Sequence, residues 1–234
     1  MRALDLHRWD ISPAEAADLQ RQLRSRLVLD DDFERLRLVA GADLALDRRE
    51  KVGFGGVVVF SFPELELVEF ATAVRPLTFP YVPGLLAFRE APVLLAAFER
   101  LRETPDLVVF DAHGYAHPRR LGLASHLGLV LDTPSVGCAK SVLVGRYEEP
   151  GQERGSWTPL VDKNETIGAA LRTRARVKPL FVSVGHRVSL LTAVRLMLAC
   201  SSGYRVPLPT READKLVGRL KRGEISGREA QRGG

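Results

Sequence analysis

The sequence predicts an α/β domain, and three observations carry that class. Residues 37–74 hold three apolar segments in succession (37–45, 52–60 and 65–74) joined by short connections, which read as an antiparallel meander. From about residue 91 the pattern changes to alternating helical and extended segments, the order that builds parallel strands with helices against the sheet. The first strand, RLVAGADLA over 37–45, is small and apolar at both alternating sets of positions, as a strand covered on two faces must be.

The elements follow in order. Ser12-Pro13-Ala14-Glu15 is a helix entry: Ser12 can cap, Pro13 suits the first helical position, and Glu15 closes a capping box. Ala16, Leu19, Leu23 and Leu27 then form one apolar stripe, so a helix spans about 13–27. After the meander, with a tight connection near Pro63-Glu64, come a helix over about 91–103, a strand at 106–111, a helix at about 120–130 and a strand at 134–140. Proline is tolerated only in the first turn of a helix, so Pro92 places that helix start near Ala91 and Glu90 at its mouth. Residues 180–184 (LFVSV) form a short buried strand. Ser189 caps a helix running to about Cys200, with Gly203 just past its end. Thr210 caps a last helix reaching Leu220. The reading is one domain over 1–222, with residues 223–234 a polar, frayed tail.

Composition bounds the function classes. A hydrophobic share of 45% in 234 residues is enough for a proper core. No apolar run is long enough to span a membrane, and the amino terminus, MRALDLHRWDISP, carries charges where a secretory signal needs an apolar stretch. Cys138 and Cys200 lack metal-type spacing and suit a reducing compartment, so the expectation is a cytoplasmic protein. The net charge of +5 leans towards polyanionic partners without establishing one, since the basic residues are dispersed.

Several residues invite chemistry. Asp43 sits among small apolar neighbours, and a buried carboxylate is costly unless paired or bound to metal; it also reads as an ordinary strand-end Asp. Asp111 ends the apolar strand LVVF, where ligand sites gather in α/β sheets, or it caps the next turn. Glu90 answers to the dipole of its helix, and so does Asp214 in PTREAD. His113 and His117 stand at a zinc-like interval, but Gly114 between them and Pro118 after them argue against the helix such a pair needs. With Arg119 and Arg120 they suit phosphate contacts, or a solvated surface. His126 reads as structural. Lys140 closes the strand PSVGCA as a phosphate contact or a partner for an Asp, and Tyr81 between two prolines forms a stiff turn. Converging carboxylates without Cys ligands favour a hard cation such as Mg²⁺ or Mn²⁺, which serves phosphodiester hydrolysis.

At these residues the chain resembles the endonuclease V family, over about residues 30–220. The matching stretches are VAGADLA (39–45), RPLTFPYVPGLLAFREAP (75–92), DLVVFDAHGYAHPRRLGLASHLGL (106–129), PSVGCAKSVL (134–143), SVGHRVSL (183–190) and LPTREAD (208–214). The resemblance implies a ribonuclease H-like fold: a mixed five-stranded sheet, three antiparallel strands then two parallel, flanked by helices. It implies metal ligands at Asp43, Glu90 and Asp111, with Asp214 a ligand or a support and Lys140 near the scissile phosphate. Tyr81, with Pro80 and Pro83, would wedge the strands apart, while Gly84, Gly114, His117, Arg119 and Leu143 would meet the nucleotide. The implied reaction is Mg²⁺-dependent hydrolysis (Mn²⁺ substituting) of the second phosphodiester bond 3′ to deoxyinosine, leaving 3′-hydroxyl and 5′-phosphate ends. The implied partner is deoxyinosine-containing DNA, duplex or single-stranded, handled by a monomer. Inosine-containing RNA is the alternative substrate. Other readings are a junction resolvase of the same fold, a non-catalytic lesion-binding module, which retention of the three acids disfavours, and a small-molecule phosphatase.

Overall fold

The computed structural model describes residues 1–47, 49–226 and 230–232, the last three as backbone. Its strands are β1 (Leu38–Asp47), β2 (Val52–Ser61), β3 (Leu67–Pro76), β4 (Leu107–Phe110), β5 (Ser135–Ala139), β6 (Trp157–Asp162), β7 (Glu165–Leu171), β8 (Leu180–His186) and β9 (Ala230–Arg232). The helices are α1 (Pro13–Leu23, continued by a 3-10 turn at Arg24–Arg26), α2 (Leu86–Phe98), α3 (Leu123–Leu131), α4 (Leu190–Ala199) and α5 (Leu208–Lys221). Among the described residues, no helix is long and apolar enough to cross a membrane.

All nine strands share one sheet, in the order β6-β7-β8-β5-β4-β1-β2-β3-β9. Its centre is the expected mixed arrangement: β1, β2 and β3 antiparallel, then β4 parallel to β1 and β5 parallel to β4. The strand count of five is too low. The β6–β7 hairpin extends the sheet through β8, and Ala230–Arg232 pair with β3 at the other edge, inside the stretch read as a frayed tail. The hairpin escapes a sequence reading because β6 is a short edge strand carrying Pro159, with a single buried residue, so it lacks a clear alternation.

Both faces are covered. Ala40, Ala42, Val57, Val59, Val108 and Phe110 point towards α2 and α3, while Val39, Val58, Phe60, Leu107 and Val109 point into the core shared with α4 and α5. The capping box forms as expected: Ser12 Oγ accepts from the Glu15 N–H, and the Glu15 carboxylate accepts from the Ser12 N–H. Ser189 caps α4. Two helix starts need correcting. α2 begins at Leu86, so Glu90 lies in its second turn rather than at its mouth; Pro92 sits inside the helix, whose near-continuous apolar face against β2 and β3 offsets the lost backbone bond. α5 begins at Leu208 with Pro209 in its first turn, and Thr210 lies inside, its hydroxyl donating to Pro207 O (3.2 Å). Gly41 is what lets α5 lie so close to β1, since a Cβ there would fall 2.1 Å from Pro209 O.

Candidate active site

Asp43, inside β1, and Asp111, directly after the end of β4, are brought side by side by register. Ala42 on β1 pairs with Phe110 on β4, so Asp43 and Asp111 are the next residues along two parallel neighbours, and the Asp111 N–H reaches Ala42 O (3.4 Å). Strand alternation puts Asp43 on the face of Val39 and Gly41, towards α5. From that helix Asp214 adds its charge to Asp43, and from α2 Glu90 couples to Asp43 as well. Four elements therefore deliver four carboxylates to one end of the sheet.

Their electrostatics are strained. Burial, then the Asp111 charge, then Asp214 push Asp43 up to about 7, against the Leu44 N–H donated to its Oδ1 (2.7 Å) and the Lys140 ammonium. Burial and Asp43 push Glu90 up to about 8. Lys140 ends β5 with its ammonium on Asp111. Burial pulls that ammonium down, but Asp111, with Asp43 and Asp214 behind it, holds it above its ordinary value. Among the described residues, no three Asp, Glu, His or Cys side chains are gathered tightly enough to form a ready ligand shell. The donor set nevertheless suits a hard divalent cation, because all its ligating atoms are oxygens and a cation there would relieve both raised carboxyls.

Beside the carboxylates lies a cavity of about 170 Å³. It is lined by residues 81–84 of the turn, by Leu86 and Ala87 of α2, by Ala112 and His113 directly after Asp111, and by Leu143. Pro80 and Pro83 are exposed, and Tyr81 projects with 71% of its surface open. Tyr81, Pro83, Gly84, His117 and Leu143 all line this cavity.

Four residues expected to meet nucleic acid are engaged within the fold. Gly114 does not line the cavity but packs on β8, where a Cβ would meet Val184 O at 2.2 Å, and its N–H donates to Ser183 Oγ (2.9 Å). His117 is buried, with Nδ1 accepting from the Arg119 N–H (3.1 Å) and Nε2 donating to Gly84 O (3.0 Å). Burial and the Arg119 charge lower it to about 4, so it is neutral and spent on the fold rather than free for a phosphate. Arg120 is likewise no phosphate contact: its side chain is 5% exposed and bridges Asp162 (2.8 Å) and Glu165 (2.7 Å) of the β6–β7 hairpin. Arg119 donates to Gly84 O (2.7 Å) and to Gln20 Oε1. His126 is structural as expected, fully buried and bonded through Nε2 to His7 Nε2 (2.6 Å).

His113, read in the sequence as half of a zinc-like pair or as a phosphate contact, lines the cavity, and its Nδ1 has no partner among the described residues. One lining residue was missed. Gln20 reaches the cavity from α1. Its signal was present but unread: a polar residue on the face of Ala16 and Leu23, which the packing buries completely.

Residues 21–215 match the family model described as Endonuclease V. The chain belongs to the endonuclease V family. It is 51% identical over 216 residues to Endonuclease V of Roseiflexus sp. (strain RS-1), covering 92% of this chain and 96% of that protein. Among solved structures, Endonuclease V from Streptomyces avermitilis superposes with a TM-score of 0.88 at 46% identity, covering 93% of this chain and 96% of that one. Endonuclease V of Ciona intestinalis, solved with a 24mer DNA containing an inosine followed by a ribo-adenosine, gives 0.76 at 28% identity, covering 91% and 98%. The fold is thus the ribonuclease H-like one, and the family is one of nucleases, hydrolases of phosphodiester bonds.

Proposed function

We propose that this protein is a Mg²⁺-dependent endonuclease that recognises deoxyinosine in DNA and hydrolyses the second phosphodiester bond 3′ to it, leaving 3′-hydroxyl and 5′-phosphate ends. The observation that carries the reading is the placement of four carboxylates and Lys140 beside a cavity fronted by an exposed Tyr. Asp43, Asp111 and Glu90 would hold Mg²⁺ or Mn²⁺, with Asp214 supporting Asp43. Bound there, the cation supplies neutralisation of the phosphate and activation of a water.

The remaining chemistry belongs to the chain. Lys140, half exposed and already charged through Asp111, presents an ammonium to the negative charge that builds on the phosphate oxygens. Tyr81 occupies the space left when a base leaves the stack, and the cavity behind it, walled by Leu86, Ala87 and Leu143, excludes water from the extruded base. Hypoxanthine carries a 6-oxo group and an N1–H that adenine lacks, and it has no 2-amino group, so a close-walled pocket can admit it and refuse guanine.

The test is a labelled duplex with one deoxyinosine, incubated with and without Mg²⁺, with the nick mapped. The expected result is a Mg²⁺-dependent nick at the second bond that disappears in Asp43→Ala while binding persists. Unimpaired turnover of Asp43→Ala would overturn the ligand assignment. The DNA held by the Ciona relative carries a ribonucleotide directly after the inosine, which favours an RNA-acting variant of the same reading. Cleavage of inosine RNA alone would therefore move the substrate and keep the site.

A further inference from the structure

The turn that carries Tyr81 is anchored at both ends in an unusual way. At its start, Phe79 O accepts from the Arg89 guanidinium (2.7 Å), and the Phe79 ring packs on Phe88 with centroids 5.6 Å apart. At its end, one carbonyl, Gly84 O, takes three side-chain donors from two separate parts of the chain: Gln20 Nε2 (3.0 Å), His117 Nε2 (3.0 Å) and an Arg119 terminal nitrogen (2.7 Å). A carbonyl oxygen has two lone pairs and ordinarily serves one or two donors. Gly84 is also at φ +77°, a left-handed conformation that favours glycine, and a Cβ there would press on the Arg119 guanidinium at 2.7 Å.

Gln20 ties this cluster together. It is 1% exposed, and its amide uses both ends: Nε2 also donates to Leu121 O (2.9 Å), and Oε1 accepts from Arg119 Nε. A buried amide so fully engaged joins α1, the 80–84 turn and the loop before α3 into one rigid unit. It lies just before the residues that the family model matches, 21–215. Among the described residues no side chain bonds the exposed tip, Pro80 to Pro83, which has the Leu85 N–H donated to Val82 O; its stiffness comes from the two prolines, that bond and this anchorage.

We propose that Gln20 is a positioning residue for strand separation: with His117 and Arg119 it clamps Gly84 O and holds the Tyr81 turn rigid against the resistance of a stacked duplex. The inference rests on the functional reading above. A wedge that yields cannot pay the cost of unstacking, whereas a substrate already single-stranded asks little of it. The clamp therefore matters to duplex cleavage far more than to single-strand cleavage. That contrast separates it from a merely structural role, which would lower both alike.

The experiment compares wild type, Gln20→Met, Gln20→Glu and Tyr81→Ala on one deoxyinosine in duplex and in single-stranded DNA, reading kcat/KM for each. Gln20→Met keeps the volume and removes every bond; Gln20→Glu keeps the acceptor for Arg119 and removes both donors. The ratio of duplex to single-strand kcat/KM is expected to fall on the order of tenfold in both Gln20 variants, in the direction of Tyr81→Ala. Hydrogen exchange gives a readout free of activity. The Leu85 N–H donates to Val82 O (3.0 Å) across the turn, and its protection is expected to drop in both variants while that of β1 and β4 holds. An unchanged ratio with unchanged Leu85 protection would overturn the clamp and leave the nuclease reading standing. A wild type that cuts neither substrate, nor inosine-containing RNA, would instead sink the nuclease reading, and the proposal with it.

Discussion

Asp43 and Glu90 show what a buried carboxylate costs the fold that carries it. Their ordinary values are 3.8 and 4.5, and in the folded chain they rise to about 7 and about 8, first through burial and then through neighbouring carboxylates. A folded-state value above the unfolded one means that folding retains a proton the open chain would release. The stability this contributes is complete below about pH 4 and lost as pH climbs through 7 for Asp43 and 8 for Glu90. In chelator, Asp43→Asn is accordingly expected to melt close to wild type at pH 5 and roughly 5 °C above it at pH 9, while losing cleavage. Thermal melts across that range check it, and a constant offset would show that the carboxyls are not strained. The same protons compete with a cation. Added Mg²⁺ is expected to raise the wild-type melting point more at pH 8.5 than at pH 6, and to lose this pH dependence in the Asp43→Asn, Glu90→Gln double variant.

At the scale of elements, the β6–β7 hairpin is joined to the loop after Asp111 by one buried cation. Arg120 bonds Asp162 and Glu165, donates to His117 O (3.0 Å), and sits beside Tyr115, whose hydroxyl donates to Glu165 (2.5 Å). Its own backbone is at φ 58°, a left-handed conformation that costs roughly 1 kcal/mol or more in a residue with a Cβ. Such a conformation persists only where the surroundings fix it. Arg120→Met is expected to destabilise by about 2 kcal/mol, less than a fully buried pair because Glu165 is 38% exposed. Arg8→Ala, which breaks an exposed pair with Asp10, should leave the melt where it was; equal effects would mean that burial is not what gives Arg120 its weight. This element also marks how far sequence reaches. The meander, β4 and β5 were legible as apolar runs fit for strands covered on two faces, and Asp43 and Asp111 came with them as the polar residues inside one run and at the end of another. The hairpin has no such signature, and Arg120 looked like a surface charge because its partners lie more than forty residues on. Gln20, His117 and Gly84 meet only in three dimensions, so their shared clamp had no spacing to betray it. Pro92 misled outright, since tertiary packing of α2 overrode a rule about isolated helices.

The whole molecule carries a net charge of +5, but that total overstates what a nucleic acid would meet. Arg119, Arg120 and Arg172 are turned inward: Arg172 is 3% exposed and bonded to Gly151 O, Pro150 O and Glu149. Lys140, at the site itself, is partly neutralised by Asp111. Binding should therefore draw on a modest set of surface cations rather than on the full basic complement. For the cleavage-defective Asp43→Ala variant and an inosine duplex, the logarithm of the association constant is expected to fall linearly with the logarithm of salt concentration, with a slope steeper than about −2 but well short of a protein that neutralises ten phosphates. Fluorescence anisotropy at several salt concentrations measures it. A slope near zero would mean that the cavity and the Tyr81 turn supply the affinity alone, and that the positive balance of the chain plays no part in holding its substrate.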